Sequence, residues 1–201
     1  IDTHLARLES DYSWLTRQTK ELTGSDDGNL DTPMNIEAAL IAIDPNTGYI
    51  KASVGGRNYA RSNFNRVIFG KRHPGSVFKP FVFLTCFNDR RGIQTVTPKT
   101  KVLNTPLTIE YEGQSWSPKN YEKNFGDPVN IYEIITKSLN VPTIRVAKHI
   151  GFDNVYETSE MVGFNPPKYK VPSIALGTIE ATMLEVARAY MVFAAGGFLI
   201  K

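Results

Sequence analysis

The sequence has few of the residues that build disulfides and metal sites. It contains a single cysteine and three histidines in 201 residues. Cys86 has no cysteine partner in the chain and lies between Phe83 and Phe87, so we predict a buried core thiol. The histidines have none of the spacings typical of metal ligands. They are His4, His73 and His149. We therefore predict no metal site and no cofactor.

Long hydrophobic runs are also missing. No window approaches the roughly 18 uninterrupted apolar residues of a membrane-spanning helix. Residues 1–12 carry acidic side chains and lack the apolar segment of a signal peptide. The net charge is +3, and the basic residues are scattered, which favours a solvated surface over a nucleic-acid-binding face. Since the chain starts at Ile1 without an initiator methionine and ends at Lys201 after an apolar run, we expect a piece of a longer protein.

The N-terminal part is predicted to hold one helix and one hairpin. A leucine-rich stripe indicates an amphipathic helix over residues 2–22, and a polar loop follows over 24–33. Residues 39–43 and 50–54 alternate in polarity around a turn at 44–48, where Gly48 supplies a positive φ. We expect an antiparallel hairpin whose two apolar faces meet. These faces are Ala39, Ile41 and Ile43 against Ile50, Ala52 and Val54.

The next part is predicted to begin with a buried helix. Since proline is tolerated only in the first helical turn, Pro80 sets the start of this helix at about Ser76, and the helix ends at about Phe87. Residues 93–126 follow as loop and short strands, with a hairpin-like piece near residues 105–116.

Three further helices are predicted downstream. The first covers 130–137 and the second covers 143–150. Pro142 should push Val141 out of the helical region between them. Thr182 and Glu185 form a capping box that opens a helix reaching residue 195, which a Gly-Gly pair ends.

One pair of residues at the start of the buried helix suggests acyl transfer. Ser76 and Lys79 are three positions apart, so their side chains share a helical face. Burial would lower the pKa of Lys79 towards a value at which it can take the serine proton. Chance alone supplies such a pair in a chain of this composition almost as often as not. The competing interpretation is a serine that caps a helix and a solvated lysine.

A second polar pair stands at a helix break. Ser138 and Asn140 interrupt two helices, where short polar side chains can face a cleft. By itself this pair also fits a helix C-cap followed by an asparagine turn. The order of the two pairs in the chain, the spacing within each pair and the sequence around them together favour a single site that contains both pairs.

Three longer segments together resemble the penicillin-binding proteins. The segment that leads into their catalytic serine is similar to GGRNYARSNFNRVIFGKRHPGSVFKPF. Their second-motif region is similar to WSPKNYEKNFGDPVNIYEIITKSLNVPTIRVAKHIG, and their Ala-Leu-Gly segment to SIALGTIEATMLEVARAYMVFAAGG. The form is that of class A, the bifunctional enzymes with a C-terminal transpeptidase domain, and the resemblance runs over residues 1–201. It implies the α/β (α+β) fold shared with serine β-lactamases, in which helices flank an antiparallel sheet and a mostly helical subdomain is attached.

The resemblance also implies roles for the polar pairs. Ser76 would attack the penultimate D-alanine of a peptidoglycan stem peptide and expel the terminal D-alanine. The acyl group would then pass to an amine of a second stem peptide. Lys79 would be the base, Ser138 would relay a proton, and Asn140 would bind the substrate backbone and hold Lys79. β-Lactam antibiotics would acylate the same serine.

The resemblance further implies where the protein works. The implied location is the bacterial cell envelope, on the outer (periplasmic) face of the cytoplasmic membrane. An N-terminal anchor outside this sequence would make the contact with that membrane.

One family motif is missing. The third motif, Lys-Thr/Ser-Gly, has its nearest string at Lys99-Thr100-Lys101, which lacks the glycine and precedes the second motif. We expect the motif and its strands beyond Lys201 and a glycosyltransferase domain before Ile1. Residues 1–201 are thus predicted to be one truncated transpeptidase domain, with the N-terminal helix and hairpin in 1–75 and the helical subdomain in 76–201.

Three alternatives stay open. A serine β-lactamase or D,D-carboxypeptidase on the same fold would use water in place of the acceptor amine. However, residues 116–121 and the long connection between the motifs resemble the cross-linking enzymes. A β-lactam-sensing domain would keep the serine for binding only. The third alternative is an α/β domain without a special serine.

Overall fold

A computed structural model describes residues 37–88, 96–122 and 124–199. The predicted helix over 2–22 and the loop over 24–33 lie outside these residues. The strands are β1 Leu40–Ile43, β2 Ile50–Val54, β3 Lys101–Asn104, β4 Ile109–Tyr111, β5 Gln114–Trp116 and β6 Gly126–Asn130. The helices are α1 Lys79–Phe87, α2 Ile131–Thr136, α3 Asn140–Ile150, α4 Phe152–Met161 and α5 Met183–Ala194. Two 3₁₀ turns cover Gly75–Phe78 and Pro172–Leu176.

The predicted hairpin is present as the antiparallel pair β1–β2. Gly48 has φ +73°, as the turn requires. The predicted match of its apolar faces holds only next to the turn, where Ile43 pairs with Ile50. Further along it is wrong, because Ile41 pairs with Ser53 and Ala42 pairs with Ala52. An irregularity after Ala42 shifts the register, and a shift of one residue moves a side chain to the other face of a sheet. Only one face of β1 is half-buried, and it contacts α5.

The other strands form two more antiparallel pairs within the described residues, β3–β6 and β4–β5. The β4–β5 pair is the hairpin expected near residues 105–116. The pair β3–β6 lies next to helices, since β3 contacts α3 and β6 leads into α2. These short strands therefore flank α2, α3 and the turn between them, where Ser138 lies and from which Asn140 opens α3.

The core lies where α1 packs on α3, α4 and the second 3₁₀ turn. Phe81 is at its centre, and its ring centroid lies 5.2–5.6 Å from four other aromatic rings. Those rings belong to Phe78, Phe164, Tyr190 and Phe193. Aromatic pairs at this separation each stabilise a core by about 1 kcal/mol beyond their buried area. The Cys86 thiol is buried, as predicted, and burial raises its pKa to about 11.

The predicted start of the buried helix is close to the observed one. The chain turns helical at Gly75 as a 3₁₀ turn, and the α-helix proper begins at Lys79 with Pro80 in its first turn. The capping box of Thr182 and Glu185 is also present, with both of its hydrogen bonds.

The boundary predicted before α3 is wrong. Val141 is helical and α3 begins at Asn140, so Pro142 lies within the first turn. Pro142 does not push its neighbour out of the helix, because the Asn120 side chain accepts the backbone N–H groups of Asn140 and Val141. A capping box of Asn130 and Glu133 that opens α2 was not predicted, although its spacing is visible in the sequence.

None of the described helices is long and apolar enough to cross a membrane. Histidine, cysteine and carboxylate side chains form no cluster of three or more in the described part of the chain that could bind a metal ion.

Candidate active site

The 3₁₀ turn and the start of α1 position the first polar pair. Ser76 lies in the turn with its side chain exposed, while Lys79, the first residue of α1, is 4% exposed. The backbone N–H of Lys79 donates to the carbonyl oxygen of Ser76. Phe78, between them, is fully buried and anchors the turn in the core. An accessible hydroxyl therefore precedes a buried amine by one helical turn.

Two contacts from later elements hold this turn. The Tyr190 hydroxyl of α5 donates to the carbonyl oxygen of Val77 over 2.7 Å. The backbone N–H of Gly75 donates to the carbonyl oxygen of Gly177 over 3.1 Å. Gly177 has φ +73°, and a Cβ there would collide with the carbonyl oxygen of Gly75. The Ala-Leu-Gly segment thus packs its backbone directly against the turn that carries Ser76.

We expect Gly177→Ala to destabilise the protein and to displace Ser76. The left-handed conformation opposes a side chain by about 1–2 kcal/mol, and the overpacked contact adds about 1–3 kcal/mol. The matched control is Gly163→Ala, because Gly163 has φ +97° with no atom within 4 Å of a built Cβ. Chemical denaturation of the two variants measures the difference. Equal losses of unfolding free energy would show that the Gly75 contact has no effect.

The Lys79 amine is surrounded by three oxygen atoms. Nζ donates to the carbonyl oxygen of Ser138 over 2.6 Å, to Asn140 Oδ1 over 2.7 Å and to Ser138 Oγ over 3.1 Å. An ammonium group has three N–H donors, so this arrangement satisfies the protonated form completely. When the amine is neutral, it has two donors and one lone pair. The two carbonyl oxygens can only accept, so the lone pair is directed to a hydroxyl.

Burial lowers the pKa of Lys79 from 10.5 to about 8. Burial opposes the charged form because it removes the water that solvates an ammonium. It is the only cause of this shift within the described residues. A fraction of the amine is therefore neutral near neutral pH and can accept a proton.

The break between α2 and α3 brings the second polar pair to Lys79. Ser138 has φ +51°, a conformation uncommon for a residue with a side chain, and it turns both its carbonyl oxygen and its hydroxyl to the amine. Asn140 opens α3 and donates from Nδ2 to the carbonyl oxygen of Lys119 over 3.0 Å. The amide oxygen of Asn140, Oδ1, accepts the hydrogen bond from Lys79 Nζ.

Three of the four predicted site residues are thus in contact, namely Lys79, Ser138 and Asn140. Within residues 37–88, 96–122 and 124–199, the Ser76 hydroxyl makes no hydrogen bond to any of them. A serine and its base are often further apart without substrate than during reaction. The chemical roles of the four residues stay predictions.

Two cavities lie near these residues. One of about 340 Å³ is lined by Ser138, Asn120 and Asn104, among others. A groove of about 670 Å³ runs between β1 and α5 and reaches Val77. Ser76 lines neither of these two cavities, and it is exposed to solvent.

Sequence reasoning missed two buried asparagines behind the site. Asn120 is 5% exposed and Asn104 is 9% exposed, and their side chains are hydrogen-bonded over 2.8 Å. Asn120 belongs to the Trp-x-Pro-x-Asn-Tyr segment, which contributed to the family resemblance, but the resemblance gave no role to this asparagine. No pattern in the sequence marks Asn104.

Known proteins share this arrangement of elements. A family model described as the penicillin binding protein transpeptidase domain matches residues 38–201. Penicillin-binding protein 1A of Aquifex aeolicus is 38% identical over 164 residues, which are 80% of this chain and 22% of that protein. The chain thus spans about a fifth of the length of this curated relative.

Solved structures show the same fold. Penicillin-binding protein 1A from Haemophilus influenzae matches with a TM-score of 0.75 and 32% identity, over 81% of this chain and 24% of that one. The PonA1 protein from Mycobacterium tuberculosis, solved in complex with penicillin V, matches with a TM-score of 0.66 and 20% identity, over 96% of this chain and 59% of that one. The second likeness concerns the fold alone. The predicted mixed α/β fold class is confirmed.

Proposed function

Since the chain belongs to the penicillin-binding protein transpeptidase domain family, we propose that it carries the acylation site of a peptidoglycan D,D-transpeptidase. One observation carries this proposal. A buried amine, that of Lys79, is held by Ser138 and Asn140 one helical turn after the exposed hydroxyl of Ser76. Serine becomes a useful nucleophile only when a base takes its proton, and this amine is suited to that task.

Acylation begins when Ser76 Oγ attacks the carbonyl carbon of the penultimate D-alanine of a stem peptide. Its proton passes to the neutral amine of Lys79, which then gains a third N–H donor. The backbone carbonyl oxygen of Ser138, the side-chain oxygen Oδ1 of Asn140 and the Ser138 hydroxyl accept from the resulting ammonium. The backbone N–H of Ser76 is one donor to the oxyanion of the tetrahedral intermediate.

Collapse of that intermediate breaks the peptide bond. The Ser138 hydroxyl lies 3.1 Å from Lys79 Nζ, so it can take a proton from the ammonium and give its own to the departing nitrogen of the terminal D-alanine. The amine of a second stem peptide then attacks the ester. The same residues take up its proton, and Ser76 is released as the cross-link forms.

β-Lactams are proposed to react at the same serine. The PonA1 relative was solved with penicillin V, which supports penicillin as a ligand of the fold. Attack by Ser76 on the lactam carbonyl would break the ring C–N bond and leave a penicilloyl ester. The nitrogen stays attached to the ring-opened product, so no leaving group departs.

The proposed substrates lie in the bacterial cell envelope, so we propose the outer face of the cytoplasmic membrane as the place of action. A peptidoglycan glycosyltransferase activity of the parent protein is likewise a proposal. The division of this chain at residue 76 into a hairpin region and a helical subdomain stays a prediction.

The decisive experiment uses the full natural protein that contains residues 1–201. It is incubated with a stem peptide ending in D-Ala-D-Ala and a second stem peptide that offers an amine. Mass spectrometry should detect released D-alanine and a joined peptide. Release of D-alanine without joining would indicate a carboxypeptidase instead. No release of D-alanine and no penicilloyl adduct would contradict the proposal.

The charge at position 140 should control the pH dependence of acylation. Because the neutral form of Lys79 is the base, we expect the acylation rate to rise with pH through a midpoint of about 8. In Asn140→Asp, a carboxylate replaces the amide oxygen 2.7 Å from Nζ and favours the ammonium form. This should move the midpoint up by about one pH unit or more.

Stopped-flow labelling with a chromogenic cephalosporin across pH 6–10 measures this midpoint. The matched control is Asn140→Ala, which removes the same hydrogen bond without adding charge and should not move the midpoint upward. An unchanged midpoint in the aspartate variant would contradict Lys79 as the base.

A further inference from the structure

Asn120 is a buried asparagine with all of its hydrogen-bonding positions occupied. Its Oδ1 accepts the backbone N–H groups of Asn140 over 3.2 Å and Val141 over 3.0 Å. Its Nδ2 donates to Asn104 Oδ1 and to the carbonyl oxygen of Asn124, both over 2.8 Å. A primary amide has two donors and accepts at two lone pairs, so this side chain is fully satisfied. Its orientation is therefore fixed.

The two backbone groups that Asn120 binds are at the beginning of α3. The first N–H groups of a helix have no partner within the helix. The preceding residue, Leu139, has no side chain that can cap them. Asn120 supplies the missing acceptor from 20 residues earlier in the chain, and so determines where α3 begins and how its first turn is oriented.

The neighbouring residue fixes the Asn140 side chain as well. The carbonyl oxygen of Lys119 accepts from Asn140 Nδ2 over 3.0 Å. An asparagine amide without this contact could rotate and present its NH₂ group to Lys79, where it would repel an ammonium. Because Nδ2 is held by Lys119, Oδ1 is the atom that meets Lys79 Nζ over 2.7 Å.

Asn104 connects Asn120 by a hydrogen bond to the β3–β6 strand pair. It is the last residue of β3, which pairs with β6, and it is 9% exposed. Its Oδ1 accepts from Asn120, so Nδ2 of Asn120 faces β3 and Oδ1 faces α3. A continuous series of hydrogen bonds therefore runs from β3 through Asn120 and Asn140 to the amine of Lys79.

We propose that Asn120, oriented by Asn104, is a positioning residue for acyl transfer. It fixes the start of α3 at the place where the carbonyl oxygen of Lys119 holds Asn140 Nδ2, so that Asn140 turns its amide oxygen, and not its nitrogen, towards the Lys79 amine. This inference rests on the proposed function. Asn120 itself acts through Asn140.

The test compares Asn120→Ala with the unaltered full natural protein, using chromogenic cephalosporin acylation across pH 6–10. Without the cap, Asn140 is free to swing away, and the ammonium of Lys79 loses one acceptor. We expect the maximal acylation rate to fall roughly ten- to a hundredfold, as small misplacements of a catalytic group do. The pH midpoint should move below that of the unaltered protein, because losing an acceptor disfavours the charged amine. Lys79 has no charged contact in the described part of the chain that would offset this change.

The structural control is Ile150→Ala. Ile150 is buried at the opposite end of α3, about 15 Å from Asn140 along the helix axis. This control should lower the melting temperature but leave the pH midpoint unchanged. If Asn120→Ala does not fold, the Asn104→Ala variant tests the proposal in its place. It removes the hydrogen-bond partner that orients Asn120 and keeps Asn120 as the cap of α3. It should shift the midpoint in the same direction.

The outcomes separate the two proposals. If the unaltered protein is not acylated at all, the proposed function fails and this inference fails with it. If the unaltered protein is acylated and a folded Asn120→Ala or Asn104→Ala variant keeps its rate and its pH midpoint, only the positioning role is overturned. A midpoint that moves equally in Ile150→Ala would reduce the role of Asn120 to helix stability and also overturn the proposal.

Discussion

Replacing Ser76 with alanine is expected to abolish covalent labelling of the full natural protein by a fluorescent penicillin. The penicilloyl ester needs the Oγ atom of this residue, and no rate reduction short of complete loss would fit a nucleophile. The side chain is exposed and has no hydrogen bond to another described residue. Its removal should therefore leave the melting temperature unchanged. Gel fluorescence and intact mass measure the adduct.

The matched control is Ser115→Ala. Ser115 is an exposed serine in β5, away from α1, and the variant should label as the unaltered protein does. An adduct of the same stoichiometry on Ser76→Ala would assign the nucleophile elsewhere. Peptide mapping of that adduct would then identify the residue.

Replacing Lys79 with methionine is expected to slow acylation by roughly 10²–10⁴-fold, the usual contribution of a general base. Methionine keeps the apolar stem and the burial of the lysine but has no group that can take the serine proton. Ser76 remains, so labelling should be slow and should eventually reach completion. Stopped-flow measurement of the acylation rate constant gives the effect.

Lys79→Arg distinguishes a base from a positive charge. Arginine keeps a donor and a charge at this position but is not deprotonated in proteins. If the amine acts as a base, the arginine variant should be nearly as slow as the methionine variant. A rate close to that of the unaltered protein would instead mean that charge alone is needed. Lys137→Met is the surface control, since this lysine side chain is 62% exposed and pairs with Glu133.

Local features of the sequence were sufficient to predict several helices and turns. The turn glycine at 48, the proline at 80 and the capping box at 182 each act within a few residues, and each predicted element is present. The register of β1–β2 was not predictable, since the irregularity after Ala42 depends on how the hairpin packs. The helix over 2–22 lies outside the described residues and stays a prediction.

Longer-range contacts explain the remaining differences. The proline rule failed at Val141 because Asn120, 21 residues earlier, accepts its N–H group. Spacing and a helix break marked the candidate site residues, and the resemblance to a family implied their roles, but their proximity in space followed only from the fold. Lys79 and Asn140 are 61 residues apart in the chain and 2.7 Å apart in the structure. The contacts that Asn120 makes with Asn104 and Asn140 are also long-range and leave no local pattern.

Ser138 has a left-handed backbone conformation, and at this position the residue that is best for stability differs from the one that the proposed mechanism needs. A side chain in this conformation costs about 1–2 kcal/mol, and glycine does not have this cost. Under the proposed mechanism, glycine at 138 would also remove the hydroxyl that carries the proton to the departing amine. Laboratory evolution for heat resistance alone would therefore favour Ser138→Gly and select proteins that fold better and cross-link less. Screens for stable variants of this domain need an activity measurement alongside the melting temperature.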